Sequence, residues 1–98
     1  MKLEVFLRRL AREDLQSAAA WYQERRDGLG GEFLDEFLSC IERIENNPEL
    51  YPAIDDDVRR ALLRRFPYAI YYVVESTHIQ VLGVYHCGQH PDTWRTRV

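Results

Sequence analysis

The sequence predicts an α+β domain in which an N-terminal strand precedes an antiparallel helical hairpin. The hairpin is expected to pack on one face of a twisted sheet whose last three strands are antiparallel. Two observations carry this prediction. Apolar residues follow helical spacing as far as Asn46 and two-residue spacing from Val58 onward. The connections between successive helices and between successive late strands are short, which favours antiparallel neighbours.

The N-terminal segment is expected to form one strand and one helix. Apolar and other residues alternate over 3–7, which predicts a short strand. The spacing then becomes helical and predicts a helix from about Leu10 to Arg26, which ends at Asp27-Gly28. Glu13 and Asp14 are placed in its first turn, where carboxylates suit the helix dipole.

A second helix is expected to open at Gly30-Gly31 and to end at Asn46-Asn47-Pro48. It carries more apolar surface than a hairpin on a sheet needs, because its apolar side chains cover an arc of roughly 160°. One interpretation is a helix wedged between its partner helix and the sheet, and the other is a docking surface for another chain. The apolar residues of this helix are Phe33, Leu34, Phe37, Leu38, Ile41 and Ile44.

The second half of the chain is expected to form a loop and then three strands. Two prolines and an acidic run predict a loop over 48–57. The strands are expected over 58–65, 68–75 and 78–87, since proline interrupts the first two and Ser76-Thr77 suits a hairpin turn. The residues expected to be mostly buried are Leu15, Tyr22, Phe33, Phe37, Ile41, Ile44, Leu62, Ile70, Val81 and Val84.

The middle strand is apolar on both faces. Ile70, Tyr72 and Val74 point to one side, while the residues between them point to the other. A sheet that is apolar on both sides must be covered on both, and one hairpin covers only one. We therefore expect an open face that carries Tyr71 and nearby arginines, a composition typical of binding surfaces.

Length and composition indicate one folded domain over 1–98. The hydrophobic content is 46% and the charged content 30%, which is typical of globular proteins. No apolar run approaches the ~20 residues that span a bilayer, and no signal peptide is evident, so we expect a cytoplasmic protein. Cys40 and Cys87 are expected to be buried thiols rather than a disulfide, and neither a metal site nor a cofactor is expected.

Charge is distributed unevenly along the chain. Residues 1–57 contain 7 Lys+Arg and 14 Asp+Glu, whereas residues 58–98 contain 6 and 2. The protein should therefore present an acidic and a basic side, which suits two different partners.

Three stretches in the second half carry a family resemblance: "VRRALLRRFPYAIYYVV", "IQVLGVYH" and "HPDTWRTR". With the order of elements, they resemble the ParE/RelE toxin superfamily, the toxin half of bacterial type II toxin-antitoxin or plasmid-stabilisation modules. The resemblance covers essentially the whole chain. One departure is His90, which stands where similar members often carry an arginine. Its most specific positions are Val58-Arg59-Arg60, Phe66-Pro67-Tyr68, His86, Pro91, Trp94 and Arg97.

Members similar to RelE cleave mRNA on the ribosome, which needs a base, an acid and cations around the phosphate. The resemblance would give those roles to Tyr85, His86, His90 and Arg97. Such proteins are usually strongly basic, whereas this chain has one lysine, Lys2, and a pI near 5.6. A ribosome-dependent endoribonuclease is therefore the alternative, and we do not expect direct nucleic-acid binding without a partner.

Members similar to ParE bind DNA gyrase and poison its cleavage complex without chemistry of their own, and the lysine-poor composition favours this branch. A third hypothesis is a toxin-like scaffold whose remaining function is assembly with its antitoxin. The resemblance implies target-contact residues, for which we select Arg59, Arg65, His86, Trp94 and Arg97. Trp94 is also expected to pack against the core and hold the tail down.

The resemblance also implies a cognate antitoxin, ParD-like or of another small family. Such an antitoxin silences its toxin with an otherwise disordered segment that folds on binding. Trp21, Leu34 and Leu38 lie at the edges of the helical apolar faces, and we expect the segment to dock there.

Overall fold

Two helices pack on one face of a five-stranded mixed sheet in the computed structural model, which describes residues 3–89 and 93–97. The elements, in chain order, are β1 (Glu4–Leu7), α1 (Arg9–Arg25), α2 (Leu29–Asn46), β2 (Ala53–Asp55), β3 (Val58–Leu62), β4 (Tyr68–Val74), β5 (His78–His86) and a 3₁₀ helix (Thr93–Arg97).

The sheet has the strand order β1-β5-β4-β3-β2. β3, β4 and β5 are antiparallel neighbours, as predicted, and β1 joins the sheet by pairing parallel with β5. This pairing runs only from Glu4 opposite His78 to Leu7 opposite Val81. Among the described residues, no strand therefore lies along the outer edge of the second half of β5.

The helical hairpin is closed by glycine. Gly28 has a φ of 89°, a left-handed conformation that glycine adopts without steric cost, and it reverses the chain between α1 and α2. Gly30 lets the helices approach closely, since a Cβ there would lie 2.6 Å from the carbonyl oxygen of Ala19. The predicted antiparallel hairpin and α+β class are confirmed.

The main core lies between the hairpin and the sheet. Phe33, Phe37 and Ile44 from α2 are buried against Ile70 and Tyr72 of β4. Most residues expected to be buried are in this core, although Leu15, Tyr22 and Ile41 are only partly buried.

The expectation for Leu62 is wrong, because its side chain is 55% exposed. Ala61 and Leu63, on either side of it, are buried in the helix-side core. Leu62 therefore points to the opposite face of β3, beyond the part of that face that other residues cover.

The expected loop over 48–57 is wrong in part, because Ala53–Asp55 forms the edge strand β2, antiparallel to β3. A short edge strand tolerates Pro52 just outside it, and the positive φ of Asp56 turns the chain into β3. β3 also ends earlier than expected, at Leu62, since residues 63–67 form the turn into β4.

Two further sequence predictions concern cysteine and membrane segments. Cys40 is a buried free thiol, but Cys87 is exposed, contrary to expectation. It follows the end of β5, where the strand leaves the core. Within residues 3–89 and 93–97, none of the helices combines the length and the hydropathy needed to span a bilayer.

Candidate functional site

The second apolar face of the sheet is covered by the C-terminal 3₁₀ helix. Trp94 is 4% exposed and stacks on Tyr71, with ring centroids 6.2 Å apart. The other buried members of this second cluster are Val58, Ala69, Leu82 and Tyr85. The expectation of an open face carrying Tyr71 is therefore wrong: the indole of Trp94 supplies the cover that the helical hairpin cannot. The predicted packing role of Trp94 is confirmed.

Arg97 bonds the 3₁₀ helix, which we call the tail (Thr93–Arg97), to α1. Its Nη1 donates to Asp14 Oδ2 at 2.5 Å and its Nη2 donates to Asp14 Oδ1 at 3.2 Å, so the ion pair is bidentate. The two side chains are 17% and 19% exposed. The hydrogen bond to Asp14 raises the pKa of Arg97 above its ordinary value. Arg8 forms a second contact that holds the tail, since its guanidinium donates to the carbonyl of Arg97.

Asp14 and Arg97 also bond two backbone groups at the open edge of β5. The amide of Val84 donates to Asp14 Oδ2 at 3.0 Å, and the carbonyl of Leu82 accepts from Arg97 Nη1 at 3.2 Å. Both backbone groups lie beyond the end of β1, where a neighbouring strand would otherwise bond them. Asp14 and Arg97 thus take the place of a missing strand.

Tyr85 lies beneath the guanidinium of Arg97, whose Cζ is 4.9 Å from the ring centroid. Its hydroxyl is buried and has no hydrogen-bond partner among the described residues. Burial raises the pKa of Tyr85, because the phenolate would lose its hydration. Gly83 makes this arrangement possible, since a Cβ there would come within 2.8 Å of both the tyrosine ring and Arg97 Nη1.

His86 lies on the other side of the sheet, in a cleft of about 770 Å³ between α1 and the ends of β4 and β5. Its Nδ1 accepts a hydrogen bond from the amide of Gly88 at 2.8 Å, and its ring packs edge-on against Tyr68, with centroids 5.2 Å apart. Trp21 also lines the cleft, beneath the guanidinium of Arg25, whose Cζ is 3.8 Å from the Trp21 ring centroid. Four ring side chains line it, Trp21, Tyr22, Tyr68 and His86, and we call it the aromatic cleft; Glu13 and Asp14 also line it.

Arg65 lies at the same end of the sheet as His86, because the amide of Cys87 bonds the carbonyl of Pro67 in the β3–β4 turn. The Arg65 side chain is 58% exposed and pairs with Glu32 at 2.8 Å. That hydrogen bond lowers the pKa of Glu32. The result is an exposed basic turn held by α2.

Arg59 has a different environment. Its Nη1 donates to the carbonyls of Tyr51, at 2.6 Å, and Glu49, at 3.2 Å. The hydroxyl of Tyr72 donates to the neighbouring carbonyl of Pro48 at 2.6 Å. In this conformation, Arg59 holds the segment between α2 and β2 against the sheet.

The residues predicted for target contact therefore do not form one patch. Arg65 and His86 share an exposed end of the sheet, Trp94 and Arg97 belong to the tail, and Arg59 bonds the segment before β2.

The alternative nuclease set is also divided. Tyr85 and Arg97 are in contact, but Tyr85 packs in the cluster beneath the tail whereas His86 lines the cleft beside α1. Neighbouring residues on a strand point to opposite faces, which is the reason for this separation. His90 lies outside the described residues, as does Pro91.

Asp14 is the residue of the tail site that sequence reasoning missed. It was expected in the first turn of α1, but the helix begins at Arg9 and its first turn has no acidic residue. Asp14 lies in the second turn, where it pairs with Arg97 instead of interacting with the helix dipole. A pairing between residues 83 positions apart leaves no local signal.

The side chains predicted to contact an antitoxin are exposed, but they lie in two places. Trp21, which is 49% exposed, lines the aromatic cleft. Leu34 and Leu38 are exposed on α2 and do not line that cleft. Within residues 3–89 and 93–97, no group of histidine, cysteine or acidic side chains has the arrangement of a metal site.

A family model matches most of the chain, and a solved structure is similar to it in fold. The family described as "ParE toxin of type II toxin-antitoxin system, parDE" matches residues 5–91. A solved structure titled "Chromosomal ParDE TA system from P. aeruginosa" is similar in fold, with a TM-score of 0.63 and 19% identity over 87% of this chain and 96% of that chain. No curated protein sequence matches. Since the family match spans most of its length, the chain belongs to the ParE toxin family of type II toxin-antitoxin systems.

Proposed function

We propose that this ParE-family toxin acts by binding DNA gyrase and poisoning its cleavage complex, and that a cognate antitoxin neutralises it. The observation that carries the choice between binding and RNA cleavage is the division of Tyr85 and His86 between two environments. A general acid and a general base must reach the same phosphodiester within hydrogen-bond distance.

The state of Arg97 supports the same choice. A guanidinium that stabilises a transferring phosphate needs its donors free, whereas Arg97 donates to Asp14 and to the carbonyl of Leu82. An RNA phosphate would have to displace a bidentate carboxylate and the tail that Arg97 holds. The pI near 5.6 also disfavours binding to ribosomal RNA, which depends on neutralising phosphates.

The gyrase contact is proposed at the end of the sheet that carries Arg65 and His86. Both side chains are exposed, and arginine and aromatic residues are enriched at the centres of protein interfaces. Arg59, Trp94 and Arg97 remain part of the proposed target-binding set. Their bonds and burial support the proposal that they hold the neighbouring segments in the conformation that binds the target.

The antitoxin is proposed to cover both the aromatic cleft at Trp21 and the exposed leucines of α2. A segment that folds on binding can wrap two separate sites on a small protein. Replacing Leu34 and Leu38 with Glu should weaken the complex and leave the fold intact, because both side chains are exposed. An unchanged affinity in a binding titration with the purified antitoxin would remove these leucines from the interface.

The deciding experiment uses two parallel reactions with purified toxin. One contains gyrase and relaxed plasmid, and the other contains ribosomes and message. We expect loss of supercoiling with accumulation of cleaved plasmid in the first, and intact message in the second. Cleavage of the message at codon positions, abolished in His86→Ala, would overturn the proposal. A folded protein that is inactive in both reactions would indicate the scaffold function.

A matched pair of arginine variants tests the contact surface. Arg65→Ala should weaken gyrase binding by about 1–3 kcal/mol, as expected for a charged interface hydrogen bond. Arg9→Ala removes a similarly exposed arginine with a similar acidic partner on α1 and should have no effect. Equal affinities for the two variants would place the gyrase contact elsewhere.

A further inference from the structure

Helix α2 presents two exposed leucines beside its contact with α1. Leu34 is 38% and Leu38 is 61% exposed. At about 100° per residue, the two side chains lie roughly 40° apart on the helix surface. Gly30 contacts α1 and is about 40° from Leu34 on the other side. The leucines therefore form an exposed apolar strip on α2, beside its contact with α1.

Carboxylates border these leucines on the side away from α1. α2 carries five carboxylates and a single arginine. Glu32 and Glu36 already bond arginines or backbone amides near the β3–β4 turn. Asp35 and Glu42 are exposed, and neither forms an ion pair with any residue in 3–89 or 93–97.

The exposed leucines and the unpaired carboxylates together indicate what kind of segment would bind to α2. An apolar strip bordered by carboxylates without cationic partners is complementary to an amphipathic helix whose apolar residues are flanked by Lys or Arg. We infer that the antitoxin segment that docks on α2 is such a helix, with its cationic side chains opposite Asp35 and Glu42. The inference rests on the proposed neutralisation by an antitoxin and specifies what that partner must contain.

The size of the strip limits the docked segment. Positions 34–42 span about 12 Å along the helix axis, so two to three turns of a partner helix cover it. A second copy of this chain is a poorer occupant, since two α2 helices would bring like charges together. The opposite charge of the partner selects the orientation and register in which the leucines are buried.

The test uses two synthetic 18-residue helical peptides with the same leucine stripe, one flanked by lysines and the other by glutamates. Their binding to the full-length protein is measured by fluorescence anisotropy at low and high salt. We expect the lysine peptide to bind roughly tenfold tighter at low salt, because two carboxylates attract its lysines and repel the glutamates of the other peptide. Leu38→Glu should remove most of the binding, and the double variant Asp35→Lys/Glu42→Lys should reverse the preference between the peptides.

The control is Glu75→Lys, which makes one such charge reversal at the exposed β4–β5 turn and should leave both affinities unchanged. Circular dichroism checks that each variant is folded. Equal affinities for the two peptides, or binding that survives the α2 substitutions, would overturn the inference. So would a dimer, measured by sedimentation equilibrium, that Leu38→Glu dissociates. No gyrase is present, so this result is separate from the outcome of the supercoiling assay.

Discussion

The ion pair between Asp14 and Arg97 should be one of the strongest single contributions to the stability of this protein. Arg97→Ala removes two hydrogen bonds to Asp14 and one to the carbonyl of Leu82. Removing one partner of a buried pair costs about 3–5 kcal/mol. Because about a fifth of each side chain is exposed, we expect a smaller cost, about 2–3 kcal/mol. Asp14→Ala should cost about 1 kcal/mol more, since it also leaves the amide of Val84 without its acceptor.

A double-mutant cycle measures the pair directly. The free energies of unfolding of wild type, both single variants and the double variant are obtained from urea titrations followed by circular dichroism. We expect a coupling energy of about 2 kcal/mol between Asp14 and Arg97. The control cycle uses Arg9 and Glu13, which are bonded at 2.8 Å and are 72% and 54% exposed. Solvent should reduce their coupling to about 0.3–0.5 kcal/mol.

The result that would refute this reasoning is a similar coupling energy in the two cycles. It would mean that water screens Asp14 and Arg97 as fully as a surface pair, and that the pair does not hold the tail on the sheet. A second measurement of whether the tail stays on the sheet is the accessibility of Trp94 to a fluorescence quencher. It is made in a Trp21→Phe background, so that Trp94 is the fluorescent tryptophan. Quenching should increase in Arg97→Ala, because the indole is released from its contact with Tyr71.

Two further predictions concern α2 and β4. Burial raises the pKa of Tyr72, so its contribution to stability is complete below the ordinary tyrosine value of about 10 and falls as the pH rises above it. Tyr72→Phe should lower the free energy of unfolding by about 1 kcal/mol at neutral pH, because it removes the hydrogen bond to the carbonyl of Pro48. Urea titrations at about pH 8 and 11 should show that the variant loses less stability at alkaline pH than wild type does. An equal loss in the two proteins would assign the alkaline effect to other tyrosines. Gly30→Ala should destabilise the hairpin by about 1–3 kcal/mol, since the new Cβ would meet the carbonyl of Ala19. Gly31→Ala enters open space and should stabilise by about 0.5–1 kcal/mol, so a similar loss in both variants would contradict the packing argument.

Local periodicity was sufficient to predict the helices and the three late strands. Helical spacing on either side of Gly28 and two-residue spacing after Val58 follow from the geometry of each element alone. The same spacing correctly assigned Ile70 and Tyr72 to one face of β4 and Tyr71 to the other. It also indicated that the second face needed a cover.

The tertiary structure decided which residues meet, since that depends on where elements end and how the chain returns. β1 stops opposite Val81, so side chains can bond the backbone of Leu82 and Val84. Asp14 and Arg97, which are 83 positions apart in the sequence, form those bonds. The tail then covers Tyr71, which alternation alone had left exposed. Predicting such contacts requires the position of every strand end, because a side chain pairs with whatever unsatisfied backbone group the completed sheet leaves beside it.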